Sequence, residues 1–369
     1  YYYSAFSTGM MPDLNYNHAS VCEDSPAFQA VVASVDKWLD MGLDGLRLDA
    51  IKHIYGDESG EEGSENRLFW QKFYSAVNEK YRAKASARSN LAGTSDANIF
   101  MVGEVLSDES NCKPFYAALP AIFEIQFWWD LRDVLKNGGS KDAFVSGICD
   151  RFYRHREVRS DAIATPKLSN HDEDRVASEL YDMYKIRLAA TVLLTAPGRP
   201  FIYQGEELGY WGTGANGDEY RRAPILWTSN LSSAATAGVN NKYDAEMLSE
   251  KRSVAYQAAD DESLLMLYRR FAYARNTNPA MADGYPEYDN KTADNTSVMA
   301  WYMHQSSGGD KVCLVMHNIS GETQTVQRWD GDNVSNSTIL AASDPISIST
   351  ENGKWVTMPP YSSVVFALN

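Results

Sequence analysis

Basic charge is scarce in this chain: 34 Lys and Arg face 49 Asp and Glu among 369 residues, a formal charge of −15. That balance repels polyanions, and no Lys/Arg run beyond short pairs offsets it, so nucleic acid is excluded as a partner. Cysteine is sparse too. Cys22, Cys112, Cys149 and Cys313 stand far apart with no C-x-x-C spacing, which supports neither a zinc site nor a disulfide framework. No apolar run reaches the roughly eighteen residues of a membrane span, so no transmembrane segment is expected. Tyr1-Tyr2-Tyr3 does not resemble a signal peptide. No H-E-x-x-H zinc motif occurs, and no Gly-rich phosphate loop joins a predicted strand directly to a helix.

What is abundant is aromatic area, 12% of residues, suited to stacking on sugar faces and equally to core packing. Phe28, Val31, Val32, Val35 and Leu39 recur at helical spacing after Ser25-Pro26, predicting a helix over 26–41 that Gly42 closes. A strand over 43–51 follows, with Gly45, Arg47 and Asp49 on one face and Leu46, Leu48 and Ala50 on the other. Leu68, Phe69, Phe73, Ala76 and Val77 mark a second helix, after an acidic loop of Asp57, Glu58, Glu61, Glu62 and Glu65 that reads as solvated.

Further strands are predicted at 99–105, 122–127, 162–168 and 201–203, with helical stretches between them and a buried helix over 181–196. Residues 228–262 read as a long irregular connection before a helix carrying Leu264, Leu267, Tyr268 and Phe271. From about residue 285, short apolar runs such as 298–302, 312–315 and 364–366 alternate with Gly, Ser and Asn turns, the pattern of an all-β sandwich. Two domains are therefore expected, an α/β domain over 1–284 and a β-sandwich over 285–369. The α/β part shows five βα-type units where a closed (β/α)8 barrel takes eight.

Three carboxylates stand at predicted strand ends, each in its own short motif: Gly45-Leu46-Arg47-Leu48-Asp49-Ala50-Ile51-Lys52-His53, Val102-Gly103-Glu104-Val105 and Ser169-Asn170-His171-Asp172. Barrel enzymes gather their chemistry at the C-terminal ends of the strands. Glycoside cleavage needs one carboxylate at the anomeric carbon and another at the leaving oxygen, a pair that Asp49 and Glu104 could supply from adjacent strands. Each acid alone has a plainer reading, since Asp after a strand is commonly a helix N-cap. Glu104 resists it, because it follows the apolar run 99–102, where an idle carboxylate is costly. His53 and His171, taken singly, read as ordinary core or surface residues.

Taken together, the motifs resemble those of the α-amylase family, glycoside hydrolase family 13, over essentially the whole chain. The segment Met11-Pro12-Asp13-Leu14-Asn15 resembles the marker before the fourth barrel strand. Gly45 to His53 resembles the nucleophile motif, and Gly103-Glu104-Val105 the acid/base motif. Asn170-His171-Asp172 with Arg175 resembles the third-carboxylate motif, and residues 198–207 the eighth-strand marker.

The resemblance implies Asp49 as nucleophile, Glu104 as general acid/base and Asp172 as transition-state stabiliser. It further implies that Arg47 and His171 bind beside the reacting sugar, that Arg175 holds the same ring or its carboxylate neighbours, and that Lys52 and His53 contact sugars on the leaving side. The substrate implied is an α-glucan, starch or maltooligosaccharides, cleaved at α-1,4 bonds by double displacement. A neopullulanase-like debranching hydrolase, an α-glucosidase and a glucanotransferase are the alternatives within the family. Calcium is implied with the His53 carbonyl as a ligand, chloride is not, and the polymeric substrate places the protein outside the cell or on its surface.

Tyr55, Trp128, Tyr210 and Trp211 are candidates for sugar stacking, with core packing the plainer reading for Trp128, and residues 216–222 read as a subsite loop. The fold implied is a (β/α)8 TIM barrel with strands 4–8 on this chain and strands 1–3 missing from it, followed by an all-β C-terminal sandwich. The expected partner is an N-terminal fragment of the same protein that completes the barrel.

Overall fold

A computed structural model describes residues 11–56, 64–85, 98–228, 249–289, 297–306, 309–329, 331–351 and 353–368. Ser25 and Pro26 begin the first helix as their chemistry dictates: the Ser25 hydroxyl accepts from the Ala27 amide at 3.2 Å, and Pro26 sits where no amide hydrogen is needed. This helix, α1 (Pro26–Asp40), buries Phe28, Val32, Val35 and Leu39. Strand β1 (Gly45–Leu48), helix α2 (Ser64–Ala85) and strand β2 (Phe100–Gly103) follow. Then come β3 (Ala121–Glu124), α3 (Ile125–Arg132), α4 (Lys141–Val158) and β4 (Ile163–Pro166). The four strands form one parallel sheet in the order β1-β2-β3-β4, as crossover connections produce.

The chain divides into two compact units, residues 1–126 with 153–165, and residues 127–152 with 166–369. In the first, α1 and α2 pack Phe28, Leu39, Phe69, Phe73 and Val77 with Met101 and Ile122 of the sheet. Gly103 is set between Ile51 and Leu119, whose methyl carbons lie 2.5 and 2.8 Å from where a Cβ would stand. A side chain before Glu104 would have to push both methyl groups aside.

The second unit holds α5 (Met183–Thr195) and α6 (Leu264–Thr277). Strands β5 (Tyr285–Tyr288), β6 (Val298–His304), β7 (Val312–Asn318), β8 (Gln324–Arg328), β9 (Ile339–Ala342), β10 (Ser347–Ser349), β11 (Lys354–Met358) and β12 (Ser363–Ala367) complete it. They form a five-stranded sheet, β5-β6-β7-β12-β9, and a three-stranded sheet, β10-β11-β8. Ala300, Leu314, Met316 and Phe366 meet Val326, Val356 and Met358 between the sheets, so the C-terminal part is all-β as expected.

The other face of the larger sheet is buried as well. Met299, Trp301, Val315 and Val365 join one core with α5 and α6, which explains why β6 and β7 are apolar on both sides. His317 completes this seam, bonded through its two ring nitrogens to Thr195 Oγ1 at 3.0 Å and Ser363 Oγ at 2.7 Å. Burial alone drives its pKa down to about 3, so it stays neutral. All four cysteines are free and buried, and burial raises the thiols of Cys112, Cys149 and Cys313 to about 12.

Three sequence expectations need correction. The strand predicted over 122–127 stops at Glu124, and Ile125 opens α3; every residue from 121 to 125 is buried, so periodicity could not separate strand from helix. The strand at 201–203 is reduced to one parallel bridge, Lys167 with Phe201, before Gly205 at φ 85° turns into a helical turn at Glu206–Leu208. The parallel sheet accordingly has four strands among the described residues, not five. The irregular connection includes helical Glu250–Arg252 and Val254–Ala258; its residues 229–248, like most of the acidic loop at 57–63, lie outside the described residues. No described helix is long and apolar enough to cross a membrane.

Candidate active site

β1 ends at Leu48 and delivers Asp49 to the C-terminal edge of the sheet, and β2 delivers Glu104 beside it; the Glu104 amide bonds the Leu48 carbonyl at 2.9 Å. Arg47, two residues before Asp49 and therefore on its face, links the two acids. One Nη contacts Asp49 Oδ1 and the other lies 2.9 Å from Glu104 Oε1. The Asp49 side chain is 72% exposed and that of Glu104 only 12%. One acid is open to a ligand while its neighbour is shielded.

The turn after Asp49 is braced from below. Ala50 takes a left-handed φ of 41°, and the Trp70 indole nitrogen donates to the Ile51 carbonyl at 2.8 Å. The buried Asn66 amide donates to the carbonyls of Lys52 (2.8 Å) and Gly56 (3.1 Å) and accepts from the Tyr55 amide (2.8 Å). Lys52 and His53 are thereby held half-buried on a fixed turn. Asn66 and Trp70 carried no sequence signal beyond helix periodicity. Among the described residues no three His, Cys, Asp or Glu side chains converge on a possible cation site. The His53 carbonyl does not by itself make a calcium site, and no chemistry is derived through that ion.

Asp172 belongs to the second unit, where its surroundings are cationic. Arg222 Nη2 lies 2.8 Å from Oδ1 and His171 Nε2 lies 3.1 Å from Oδ2. Arg222 also donates to the His171 carbonyl at 3.0 Å, and Arg221 donates to the Asp172 carbonyl. Asp218 accepts from both arginines, so the loop read as a subsite loop also holds the Asn170–Asp172 turn in place. Two adjacent arginines beside Asp218-Glu219 were the available signal.

Arg175, expected to hold the reacting ring or its carboxylate neighbours, turns away from solvent and so from the ring. It is fully buried, donating to the carbonyls of Gln204 and Arg221 at 2.9 Å, with its guanidinium 4.5 Å from the Tyr203 ring centre. Burial lowers its pKa. It ties backbone together, including that of Arg221. Tyr210 likewise leaves the stacking candidates, since it is buried and its hydroxyl accepts from the Leu226 amide at 2.8 Å. Trp128 is core, as the plainer reading had it. Trp211 is half-buried with Arg252 5.0 Å from its ring centre, and Tyr55 packs its flank on the first core.

Glu206, seen in the sequence only as part of a marker, is a buried carboxylate. It accepts from Ser169 Oγ at 2.7 Å and Tyr268 Oη at 3.1 Å. Burial outweighs these bonds and pushes its pKa up to about 7.

A parallel sheet that carries, at the C-terminal ends of adjacent strands, two acids bridged by one arginine presents the carboxylate pair a glycosidase needs. The family model "Alpha amylase, catalytic domain" matches residues 1–284, and "Alpha-amylase SusG C-terminal domain" matches residues 298–365. The chain belongs to the α-amylase family. It is 38% identical to Alpha-amylase SusG of Bacteroides thetaiotaomicron, covering 100% of this chain and 51% of that protein. To Alpha-amylase 3 of Dictyoglomus thermophilum it is 29% identical, covering 99% of this chain and 65% of that one. The crystal structure of the α-amylase from H. orenii superposes with a TM-score of 0.77 at 26% identity, over 99% of this chain and 67% of that one. The chain thus spans about half to two thirds of the length of these relatives.

Proposed function

We propose that the protein is an endo-acting α-glucan hydrolase that cleaves α-1,4 bonds with retention of configuration. The observation that carries this reading is the single guanidinium of Arg47 in contact with both Asp49 and Glu104. Two carboxylates held by one planar fork lie near each other, which favours the short spacing, about 5 Å, of a retaining pair over the wider one that admits a water between them.

In the first step Asp49, the exposed acid, attacks the anomeric carbon while Glu104 gives its proton to the leaving glucosyl oxygen. A glycosyl ester to Asp49 results. Water then attacks that ester as Glu104 takes its proton, restoring both acids and freeing a reducing end. Asp172 is assigned to stabilise the ring's positive charge, and His171 and Arg47 to bind beside the reacting sugar. Lys52 and His53, fixed by the Asn66 brace, face the leaving side.

The four parallel strands are read as the fourth to seventh of a (β/α)8 barrel, with residues 1–284 as its part and 285–369 as a packing sandwich. An N-terminal fragment of the same protein completes it, outside the cell or on its surface. Calcium is included only as a structural ion to which the His53 carbonyl would give one ligand among others, tested by the melting midpoint with and without chelator.

Hydrolysis of maltoheptaose tests the function. Internal cleavage releases maltotriose and maltotetraose from the start; glucose alone points to an α-glucosidase, longer products to a glucanotransferase, and preferential attack on pullulan to a neopullulanase-like debranching enzyme. No activity from the intact protein on any of these rejects the reading.

A further inference from the structure

We propose that the outer face of the three-stranded sheet β10-β11-β8 is a second glycan-binding surface, which takes a neutral polysaccharide chain on the indoles of Trp329 and Trp355. The identity of that polysaccharide as an α-glucan rests on the function proposed above; the existence of the surface does not.

The sheet has two unlike faces. Val326, Val356 and Met358, with Ile348 beside them, point into the core between the sheets. Alternation then sends Thr325 and Gln327 of β8, Trp355 and Thr357 of β11, and Ser347 and Ser349 of β10 outward. Register places these six in two rows across the strands: Ser349, Trp355 and Gln327 in one, Ser347, Thr357 and Thr325 in the other. Trp329 continues the outer face of β8 by one more step of two and is 59% exposed.

Every outward position within the three strands is a hydroxyl, an amide or an indole, and none is charged. On a chain with a formal charge of −15, where a solvated sheet face would ordinarily carry Lys or Glu, that is a selective absence. A neutral face does not attract a charged partner. Apolar planes edged by hydroxyl and amide groups match a pyranose, which offers a flat C–H face and a rim of hydroxyls.

The turn beside the platform keeps it open. Gly353, at φ 112°, lies across from Trp329 in the extended register. A Cβ there would stand 2.8 Å from Gln327 Nε2 and 3.5 Å from the Trp355 indole nitrogen. A side chain at that position would touch the ring edge and displace the Gln327 amide.

The test is adsorption of the intact protein carrying D49N, which removes turnover, to granular starch, with cellulose and xylan as comparison polymers. W329A and Q327A are made in the same background, and melting midpoints confirm folding. We expect adsorption to starch, competed by maltoheptaose and weakened about tenfold by W329A, the size of an exposed aromatic anchor's contribution, and less by Q327A. W329A with Asp49 intact should keep its kcat/KM on soluble maltoheptaose within about twofold, as for surface sites away from the chemistry. Adsorption to cellulose or xylan that W329A weakens supports the surface and overturns the α-glucan reading. Starch adsorption that neither substitution changes, or no adsorption to any polymer, overturns the surface.

Discussion

An arginine placed between two carboxylates has opposite consequences in two regions of this protein. Arg47 touches Asp49 and Glu104 at the strand ends, and its two partners are 72% and 12% exposed. Arg328 touches Asp289 at 2.6 Å and Asp332 at 2.7 Å in the all-β part, where arginine and Asp289 are fully buried and Asp332 nearly so. Tyr302 closes the second triplet, its hydroxyl accepting from Arg328 at 2.8 Å and donating to Asp332 at 3.1 Å. The neighbouring acids raise the Arg328 pKa further against the burial that opposes it. Buried and fully bonded, that triplet can only hold structure. The open one leaves an acid facing solvent, where a substrate can reach it.

The comparison breaks most visibly at the open triplet. Asp49→Asn should lower kcat on maltoheptaose by at least about 10³-fold, as expected of a lost nucleophile, and leave the melting midpoint nearly unchanged. Arg328→Ala should do the reverse, costing about 3–5 kcal/mol of stability by stranding two buried carboxylates while the folded enzyme keeps its kcat. If Arg328→Ala instead cost activity without stability, the division between the two triplets would be wrong.

A third case sharpens the contrast, because Glu206 is buried with hydroxyl donors and no arginine bonded to it. Its folded pKa of about 7 lies above the ordinary 4.5, so the folded state holds the proton more tightly than the unfolded chain. The stability it contributes is complete below pH 4.5 and lost as pH rises through 7. Glu206→Gln should remove that dependence, gaining on the native protein by up to on the order of 3 kcal/mol between those limits. Denaturation curves at pH 4.5 and 7.5 that shift in parallel for the two proteins would refute it. The smallest effect is expected at Arg222→Ala, where both partners are partly exposed: kcat should fall roughly tenfold or less as Asp172 loses its brace, and KM should move less.

How much of this was legible in the sequence depended on how local each feature was. Asp49 with Arg47 could be placed because a period of two fixes their shared face, and Glu104 because an acid ending an apolar run needs a reason. Trp128 was read correctly as core. Arg175 was misread because its motif tells which residue stands there and not which way the guanidinium turns; it turned inward, to two carbonyls far along the chain. The roles of Arg221, Arg222 and Glu206 lie in contacts 37 to 62 residues apart, which no periodicity encodes. The strand drawn through Ile125 failed for a related reason, since burial on all sides erases the pattern that separates strand from helix.

In the proposed reaction Asp49 and Glu104 act as a closely spaced retaining pair. The direct measurement is the anomeric configuration of the newly formed reducing end, followed by proton NMR in the first minutes of maltoheptaose hydrolysis, before mutarotation. A retaining pair releases the α-anomer; release of the β-anomer would rule out Asp49 as the nucleophile of a double displacement.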